Sequence, residues 1–275
     1  TLTSATGIAA GDILFLASNP SSASSPTNYI PAHFEFAQVL SVAGNVVTLN
    51  GKLKSSYAVG GAVFRSAGLA RNCVIRNLRI KSSGSTAYQA VVRSSINCTL
   101  QNIEFAGRDT IGATTFSENF VMRDCRATGC GGNWSFARGT VSALLEGLQF
   151  QYRSGLTSEP QAIFIEESLY NITVRRVRGN GASLSVRSLD LAGALGKRSV
   201  TVDDCTFDTS NAPGGAGSPL QMATAAGVDL TFSNCVFQGA VVTPNSSIYP
   251  GVTGTALSWL TSNSSGDRVT FRNCR

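Results

Sequence analysis

The sequence predicts an all-β fold, a parallel β-helix with three short strands in each turn and about eight turns. Three observations predict it. A short phrase of alternating apolar residues occurs eight times, one position inside the phrase is almost constant, and the spacing between copies varies from 22 to 39 residues. A repeat that cannot bury its own apolar side must stack on its neighbours, and length variation between constant phrases belongs in loops.

The first strand of each turn is the opening half of the phrase. Apolar residues stand five and three positions before a further apolar residue, here called the anchor, as Cys73 and Ile75 do before Leu78. Alternation with period two is typical of a short strand with one buried face. The anchors are Leu78, Ile103, Cys125, Leu148, Val177, Cys205, Cys235 and Cys274.

A sharp corner is predicted directly before each anchor. Seven of these eight positions hold Asn, Asp or Gly, and Arg176 is the exception. These residue types tolerate positive φ, so a one-residue bend belongs here. A second strand then starts at the anchor and ends at residues such as Ile80 and Phe105.

A third strand is expected before each phrase, and each strand should pair with its copy on the next turn about 4.8 Å away. The candidate segments are Ala62–Phe64, Ala90–Val92, Trp134–Phe136, Ala162–Ile165, Ser188–Leu191, Pro219–Met222 and Ala256–Trp259, with a less distinct one near 111–116.

The corner Asn residues and stacked apolar columns resemble the right-handed β-helix of pectate lyases and phage tailspikes. The stretches Thr3–Leu16, Phe36–Leu49 and Tyr57–Gly60 are similar to the opening of tailspike-like β-helices. The resemblance implies an opening β segment at 1–62 that caps or enters the helix, followed by the helix at 63–275. We expect the helix to be truncated at its C-terminal end, because the last phrase stops in mid-turn and an open end exposes core and edge strands.

The resemblance also implies a function. A tailspike-like protein would be a homotrimer in the phage virion, joined to other tail proteins, that binds a bacterial surface polysaccharide and in an enzymatic form depolymerises it. Two alternatives stay open. One is a non-catalytic structural or receptor-binding fibre of the virion, and the other is a secreted polysaccharide lyase or glycoside hydrolase. Hydrolysis is favoured over lyase chemistry because no cluster of Asp and Glu suited to Ca²⁺ is evident.

Composition limits the other function classes. The chain has 275 residues, a net charge of +6, and 14% charged residues. It contains no run of about 20 apolar residues, no zinc-ligand spacing and no nucleic-acid motif, so we expect no membrane insertion, metal, cofactor or nucleic acid. Arg76, Arg123, Arg175 and Arg272 share one outward strand position and are predicted to form a solvated stripe.

Six of the seven Cys residues fall in inward columns, and Cys130 is expected in a loop. Cys residues stacked inside a core act as small hydrophobic residues, so free thiols are favoured over disulfides.

Three longer loops follow second strands, at 151–161, 208–218 and 238–255, and therefore stack on one flank. In the resembled family that flank and the adjacent strand form the saccharide groove. Glycoside hydrolysis requires two carboxyl groups, and separations of about 6.5 to 9.5 Å favour inversion. If Glu166 and Asp190 both face outward on neighbouring third strands, their separation is roughly 8 Å. We therefore hypothesise that Glu166 is the general acid and Asp190 the base, with an ordinary polar corner or a pair between Asp190 and Arg187 as the alternative.

Further residues near this groove are candidate substrate ligands. Charged side chains would bind an anionic or hydroxylated glycan, although they could equally be surface charges. Loop tyrosines would stack on sugar rings, whereas of Trp134 and Trp259, both in predicted strands, at least one should be core. The candidates are Glu159, Arg138, Arg153, Arg187, Tyr152 and Tyr249.

Overall fold

The structure is a computed structural model. It describes residues 2–17, 34–53, 57, 62–65, 69–82, 88–107, 110–130, 134–136, 140–152, 161–166, 169–188, 198–210, 219–224, 228–239, 257–261 and 268–275. All regular structure in these ranges is β, and none of it is a helix long and apolar enough to cross a membrane. The described residues divide into two compact units between residues 69 and 70.

The first unit contains an antiparallel sheet of β1 (Ile13–Ala17), β2 (Phe34–Ala43), β3 (Val46–Leu49) and β4 (Ala62–Arg65), in the order β3-β2-β1-β4. Its small core contains Leu14, Leu16 and Val39. β4 pairs with β1 through Val63 and Leu16. The assignment of Ala62–Phe64 to the first turn of the β-helix was therefore wrong, because this strand completes the antiparallel sheet.

The second unit is the β-solenoid, and its strands are parallel throughout the described pairings. They are β5 (Ala70–Arg71), β6 (Val74–Ser82), β7 (Tyr88–Ile96), β8 (Thr99–Gly107), β9 (Thr110–Arg123), β10 (Arg126–Cys130), β11 (Trp134–Phe136), β12 (Thr140–Glu146), β13 (Gln149–Tyr152), β14 (Gln161–Glu166), β15 (Leu169–Arg175), β16 (Arg178–Asn180), β17 (Ser183–Ser188), β18 (Arg198–Asp203), β19 (Thr206–Asp208), β20 (Leu220–Thr224), β21 (Val228–Ser233), β22 (Val236–Gln238), β23 (Leu257–Thr261) and β24 (Arg268–Arg272).

Each strand pairs with its copy on the next turn, which confirms the predicted parallel β-helix. The first strands form one ladder, β6-β8-β9-β12-β15-β18-β21-β24. The third strands β7, β9, β11, β14, β17, β20 and β23 form another. The indistinct strand near 111–116 lies in β9. The third strand of the next turn is β17, which begins five residues before the predicted strand Ser188–Leu191 and pairs its Leu184 with Ile163. Of that predicted strand only Ser188 lies within the described residues.

The predicted corners are present, and each residue just before an anchor has positive φ, from 48° at Asp204 to 66° at Gly147. A second corner, five residues earlier, was not predicted. It contains Asn72, Asn97, Asn119, Ser142 and Asn171, with φ between 52° and 64°. Asn side chains connect successive turns at both corners, for example Asn102 Nδ2 to Asn77 Oδ1 at 2.8 Å and Asn119 Nδ2 to Asn97 Oδ1 at 3.0 Å.

The core consists of the inward columns stacked turn on turn. Trp134 is fully buried, lies parallel to Phe120 with ring centroids 5.9 Å apart, and donates its indole N–H to Thr114 Oγ1 at 3.2 Å. Only Gly fits at residue 112 beside this ring, because a Cβ there would lie 2.4 Å from the carbonyl oxygen of Ala90 and 2.6 Å from the indole.

All seven Cys residues are thiols, and five of them are buried. Cys130 was expected in a loop but ends β10 and is 1% exposed. Burial raises the pKa of the Cys125 thiol to about 11, so this group stays protonated and acts as a small core residue.

Candidate functional site

Outward residues of the second strands form one continuous surface, here called the second-strand face. Because side chains alternate along a strand, the residues one and three positions after each anchor point to this surface. Two rows cross the stacked strands. Row one is Arg79, Glu104, Arg126, Gln149, Arg178, Thr206 and Val236, and row two is Lys81, Ala106, Thr128, Gln151, Asn180, Asp208 and Gln238.

Row one begins with an ion-paired triplet. Glu104 Oε2 lies 3.0 Å from Arg126 Nη2 and 3.6 Å from Arg79 Nε. The hydrogen bond from Arg126 holds the pKa of the Glu104 carboxyl below its usual range. Glu104 is therefore an ionised acceptor that orients two guanidinium groups, and it is not suited to act as a general acid.

Arg178 is held from one side only. Its Nη2 lies 2.9 Å from Asp204 Oδ1, and its Nη1 donates to the backbone carbonyl oxygens of Asp204 and Val177. A guanidinium has five N–H donors in a planar fork. The side chain is still 48% exposed, so donors remain for a ligand above the strands.

Two adjoining open grooves lie on this face and share Arg126. The first groove has a volume of about 430 Å³, and its described lining residues are Asn77, Leu78, Arg79, Asn102, Ile103, Glu104, Asp124 and Arg126. The second has a volume of about 330 Å³, and its described lining residues are Arg126, Ala127, Thr128, Gln149, Phe150, Gln151, Arg178 and Asn180. Amide, hydroxyl and guanidinium groups make up most of the described lining of the second groove, whereas the first groove also contains the carboxylates of Glu104 and Asp124. Both sets can hydrogen-bond a hydroxyl-rich ligand.

A separate charged cluster lies on the other side of the corner. Glu146 is 3% exposed and pairs with Arg123 at 2.9 Å, with Arg175 at 2.7 Å, and with Arg176. Hydrogen bonding from Arg175 is the largest cause that lowers the Glu146 pKa, and charge from Arg176 and Arg123 adds to it. Arg123 and Arg175 share one outward strand position as predicted and are each 43% exposed, but the sequence did not predict that both pair with a buried carboxylate between their turns.

Of the hypothesised catalytic pair, only Glu166 lies within the described residues. Glu166 ends β14, and its Cα partner on the next turn is Arg187 in β17. Asp190 lies outside the described residues. The separation of roughly 8 Å assumed that Asp190 lies in the strand beside Glu166. In the described part of that strand Arg187 is the Cα partner of Glu166, and the described residues do not test the separation. The pair itself stays a prediction.

Of the other candidate ligands, Arg187 lies in β17, and Glu159, Arg138, Arg153 and Tyr249 lie outside the described residues. Tyr152 was expected in a loop but ends β13, packs against the main core, and donates its hydroxyl to the carbonyl oxygen of Gln161. Burial raises the Tyr152 pKa well above its ordinary value. This tyrosine therefore anchors the chain at the start of a loop.

The three longer loops follow β13, β19 and β22, which are near neighbours in the second-strand ladder. These three strands therefore end along one edge of the second-strand face. Residues 153–160, 211–218 and 240–256 of these loops lie outside the described residues.

Sequence reasoning missed Gln149, Gln151 and Asn180 as site residues. The available signal was positional, because each stands one or three residues after an anchor on the outward face of a second strand. Within the part of the chain that the structure describes, no group of three or more His, Cys, Asp or Glu side chains is arranged to hold a metal ion.

No family model and no curated protein matches this chain. Solved structures similar to it include the tailspike protein gp49 from Pseudomonas phage LKA1, with 13% identity, a TM-score of 0.36, and coverage of 99% of this chain and 60% of that one. The tailspike gp61 of Pseudomonas phage phi297 has 13% identity and a TM-score of 0.33, with 100% and 52% coverage.

A third similar structure is the gp54 tailspike of Acinetobacter baumannii bacteriophage AP22 in complex with A. baumannii capsular saccharide. It has 13% identity and a TM-score of 0.30, with coverage of 94% of this chain and 63% of that one. This chain therefore spans between 52% and 63% of the length of the three tailspikes.

Proposed function

We propose that this chain is the solenoid part of a virion spike that binds a bacterial surface polysaccharide along its second-strand face. The observation that carries the proposal is the second groove, where Thr128, Gln149, Gln151 and Asn180 are all exposed on adjacent strands. Amide and hydroxyl groups at strand spacing, about 4.8 Å apart, present alternating donors and acceptors to a chain of hydroxylated units.

The site chemistry favours binding over cleavage on this face. A general acid needs a raised pKa, whereas the arginine partner of Glu104 lowers the pKa of that carboxyl. A receptor-binding spike without hydrolase activity is therefore the form of the proposal that the described residues support best.

The test measures polysaccharide binding by biolayer interferometry with the 275-residue chain immobilised and a panel of purified capsule and O-antigen polysaccharides in solution. We expect one or more polysaccharides to bind, and the triple variant Gln149→Ala/Gln151→Ala/Asn180→Ala to abolish that binding. The matched control is Thr173→Ala/Thr201→Ala, which removes outward side chains from the first strands and should bind as the wild type does. Equal binding by both variants would place the ligand elsewhere and overturn the proposal.

The enzymatic alternative is a depolymerase that uses Glu166 and Asp190. It predicts oligosaccharides of fixed repeat length by mass spectrometry after incubation with the bound polysaccharide. Glu166→Gln and Asp190→Asn should each abolish those fragments, and unchanged activity in either variant removes that residue from the mechanism. A double bond in the products would indicate a lyase and exclude a hydrolytic role for the pair.

The spike assignment includes a homotrimer in the virion. Light scattering of the full-length protein should give three times the mass of one chain. A monomer would favour the remaining alternative, a secreted polysaccharide lyase or hydrolase.

A further inference from the structure

Arginine recurs on every second strand of row one. The Cα partners run from Arg79 to Glu104, Arg126, Gln149 and Arg178. With strands about 4.8 Å apart, successive arginines are roughly 9.6 Å apart along the solenoid. An arginine therefore lies on every second strand of this part of row one, and Glu104 or Gln149 lies on the strand between two arginines.

The two grooves differ in charge. In the first groove, Glu104 and Asp124 offset Arg79 and Arg126. The described lining of the second groove holds Arg126 and Arg178 and no carboxylate. Their acidic partners, Glu104 and Asp204, lie outside that lining set. An anion in the second groove can contact two guanidinium groups and no carboxylate of the described lining, whereas one in the first groove meets Glu104.

Both arginines of the second groove are fixed but not saturated. Arg126 contacts Glu104 through Nη2 at 3.0 Å and is 62% exposed, and Arg178 is 48% exposed. An ion pair on one side lowers the entropy that a long side chain loses when it binds on the other. Between them Gln149 presents an uncharged amide, so an anion there meets no repulsion.

From this geometry we infer that the polysaccharide is acidic. A carboxylate, phosphate or sulfate of the polysaccharide lies in the second groove between Arg126 and Arg178, and an uncharged part of the polysaccharide lies over Glu104 in the first groove. Charge-assisted bonds to a guanidinium fork are shorter and roughly twice as strong as neutral ones. The inference rests on the proposed function and names the class of its ligand.

The experiment uses the polysaccharide that binds the 275-residue chain most tightly in the panel, in native form and with its charge removed. Carbodiimide–borohydride reduction converts carboxylates to alcohols, cold hydrofluoric acid removes phosphates, and mild acidic methanol removes sulfates. We expect the tightest binder to be acidic and one treatment to weaken its binding roughly tenfold or more, which corresponds to one or two lost charged hydrogen bonds. The treatment that does so identifies the anion.

Substitutions test whether Arg126 and Arg178 bind the charged group of the polysaccharide. Arg126→Gln and Arg178→Gln should each weaken binding of the native polysaccharide roughly tenfold and leave binding of the neutralised form within about twofold. Arg178→Lys keeps the positive charge but loses the planar guanidinium fork, so the affinity of this variant should lie between those of the wild type and Arg178→Gln. Arg76→Gln and Arg272→Gln, exposed and on the first strands, are the matched controls and should bind as the wild type does.

The outcomes separate the inference from the proposed function. If the tightest binder is neutral, or if charge removal has no effect while the Gln149/Gln151/Asn180 variant still loses binding, the inference is wrong and the proposed function stands. Equal losses in Arg76→Gln and Arg126→Gln would mean non-specific attraction to positive charge and would also overturn the inference. If no polysaccharide in the panel binds, both fail together.

Discussion

Glu146 shows how one residue can hold several turns together. Its carboxylate contacts arginines from the turn before and the turn after, and it is 3% exposed among them. Burying a carboxylate is costly unless it is paired and hydrogen-bonded. The three arginine partners therefore allow a charge in this column, while each of them keeps part of its side chain in water.

Replacing this carboxylate should destabilise the fold. Glu146→Gln keeps the shape but leaves three guanidinium groups around a neutral amide, so we expect the free energy of unfolding to fall by about 1–3 kcal/mol. The measurement is chemical denaturation monitored by circular dichroism. The control is Glu104→Gln, an ion-paired carboxylate that is 23% exposed and should have less effect. A similar loss in both variants would contradict a special role for burial.

The same residue predicts a pH dependence. Its folded-state pKa is lowered by Arg175, Arg176 and Arg123, so its contribution is complete above the ordinary Glu pKa of about 4.3 and is lost as pH falls through the folded-state value. The difference in melting temperature between wild type and Glu146→Gln should therefore be constant from about pH 7 to pH 5 and shrink below about pH 4. A difference that grows on acidification would show that the sign is wrong.

At the scale of the element, the corners decide where strands end. Positive φ costs most residues energy, and Asn adopts it more readily than other residues with a side chain. The unpredicted leading corner holds Asn at 72, 97, 119 and 171 but Ser142, at φ 57°, in the middle. The chain of Asn side-chain bonds seen from Asn119 to Asn97 and from Asn97 to Asn72 has no Asn at that point.

Completing the chain of Asn residues should stabilise the solenoid. Ser142→Asn supplies a residue suited to the left-handed conformation and an amide between Asn119 and Asn171, so we expect a gain of about 0.5–1 kcal/mol. Thermal unfolding by calorimetry measures it. Ser233→Asn, in a strand position without positive φ, is the control and should not stabilise; a gain there equal to that at 142 would refute the corner explanation.

Packing between elements gives a second test at this scale. Gly112→Ala places a methyl group against the Ala90 carbonyl and the Trp134 indole. Overpacking of this kind costs about 1–3 kcal/mol. Near-ultraviolet circular dichroism should show a changed Trp134 environment together with a lower melting temperature, and an unchanged spectrum and stability would mean that the turn has room to relax.

At the scale of the whole molecule, each turn contacts only its neighbours, so stability is close to a sum over turns and interfaces. The end strands have one partner each in their ladder, as β24 has with β21. Residues in the inward columns are correspondingly exposed at the ends: Ile75 by 44%, Leu78 by 48% and Phe271 by 42%.

Hydrogen exchange should follow this gradient. We expect backbone amides of β12, β15 and β18 to exchange most slowly and those of β6 and β24 fastest, because opening an end turn breaks one interface and opening a central turn breaks two. Exchange measured by mass spectrometry at several times would show this. Uniform protection from β6 to β24 would mean that the solenoid opens only as a whole.

Much of this architecture follows from local chemistry. The alternation of apolar residues in each phrase shows which face of a strand is buried, as at Ile103. An Asn or Asp before the anchor shows where the backbone adopts positive φ, as at Asn102. The parallel β-helix and one of its two corners were therefore predictable from the sequence. The antiparallel pairing of β4 with β1 was not predictable in this way, because it joins residues far apart in sequence.

The sequence by itself determined the solenoid, its inward columns and the corner before each anchor, since each depends on residues within one phrase. Only the tertiary structure decided which outward residues meet. Arg126, Gln149 and Arg178 become neighbours, Arg187 pairs with Glu166, and Glu146 is buried between Arg123 and Arg175. The physical reason is register: loops of variable length separate the turns, and hydrogen bonding between stacked strands sets how each turn aligns with the next.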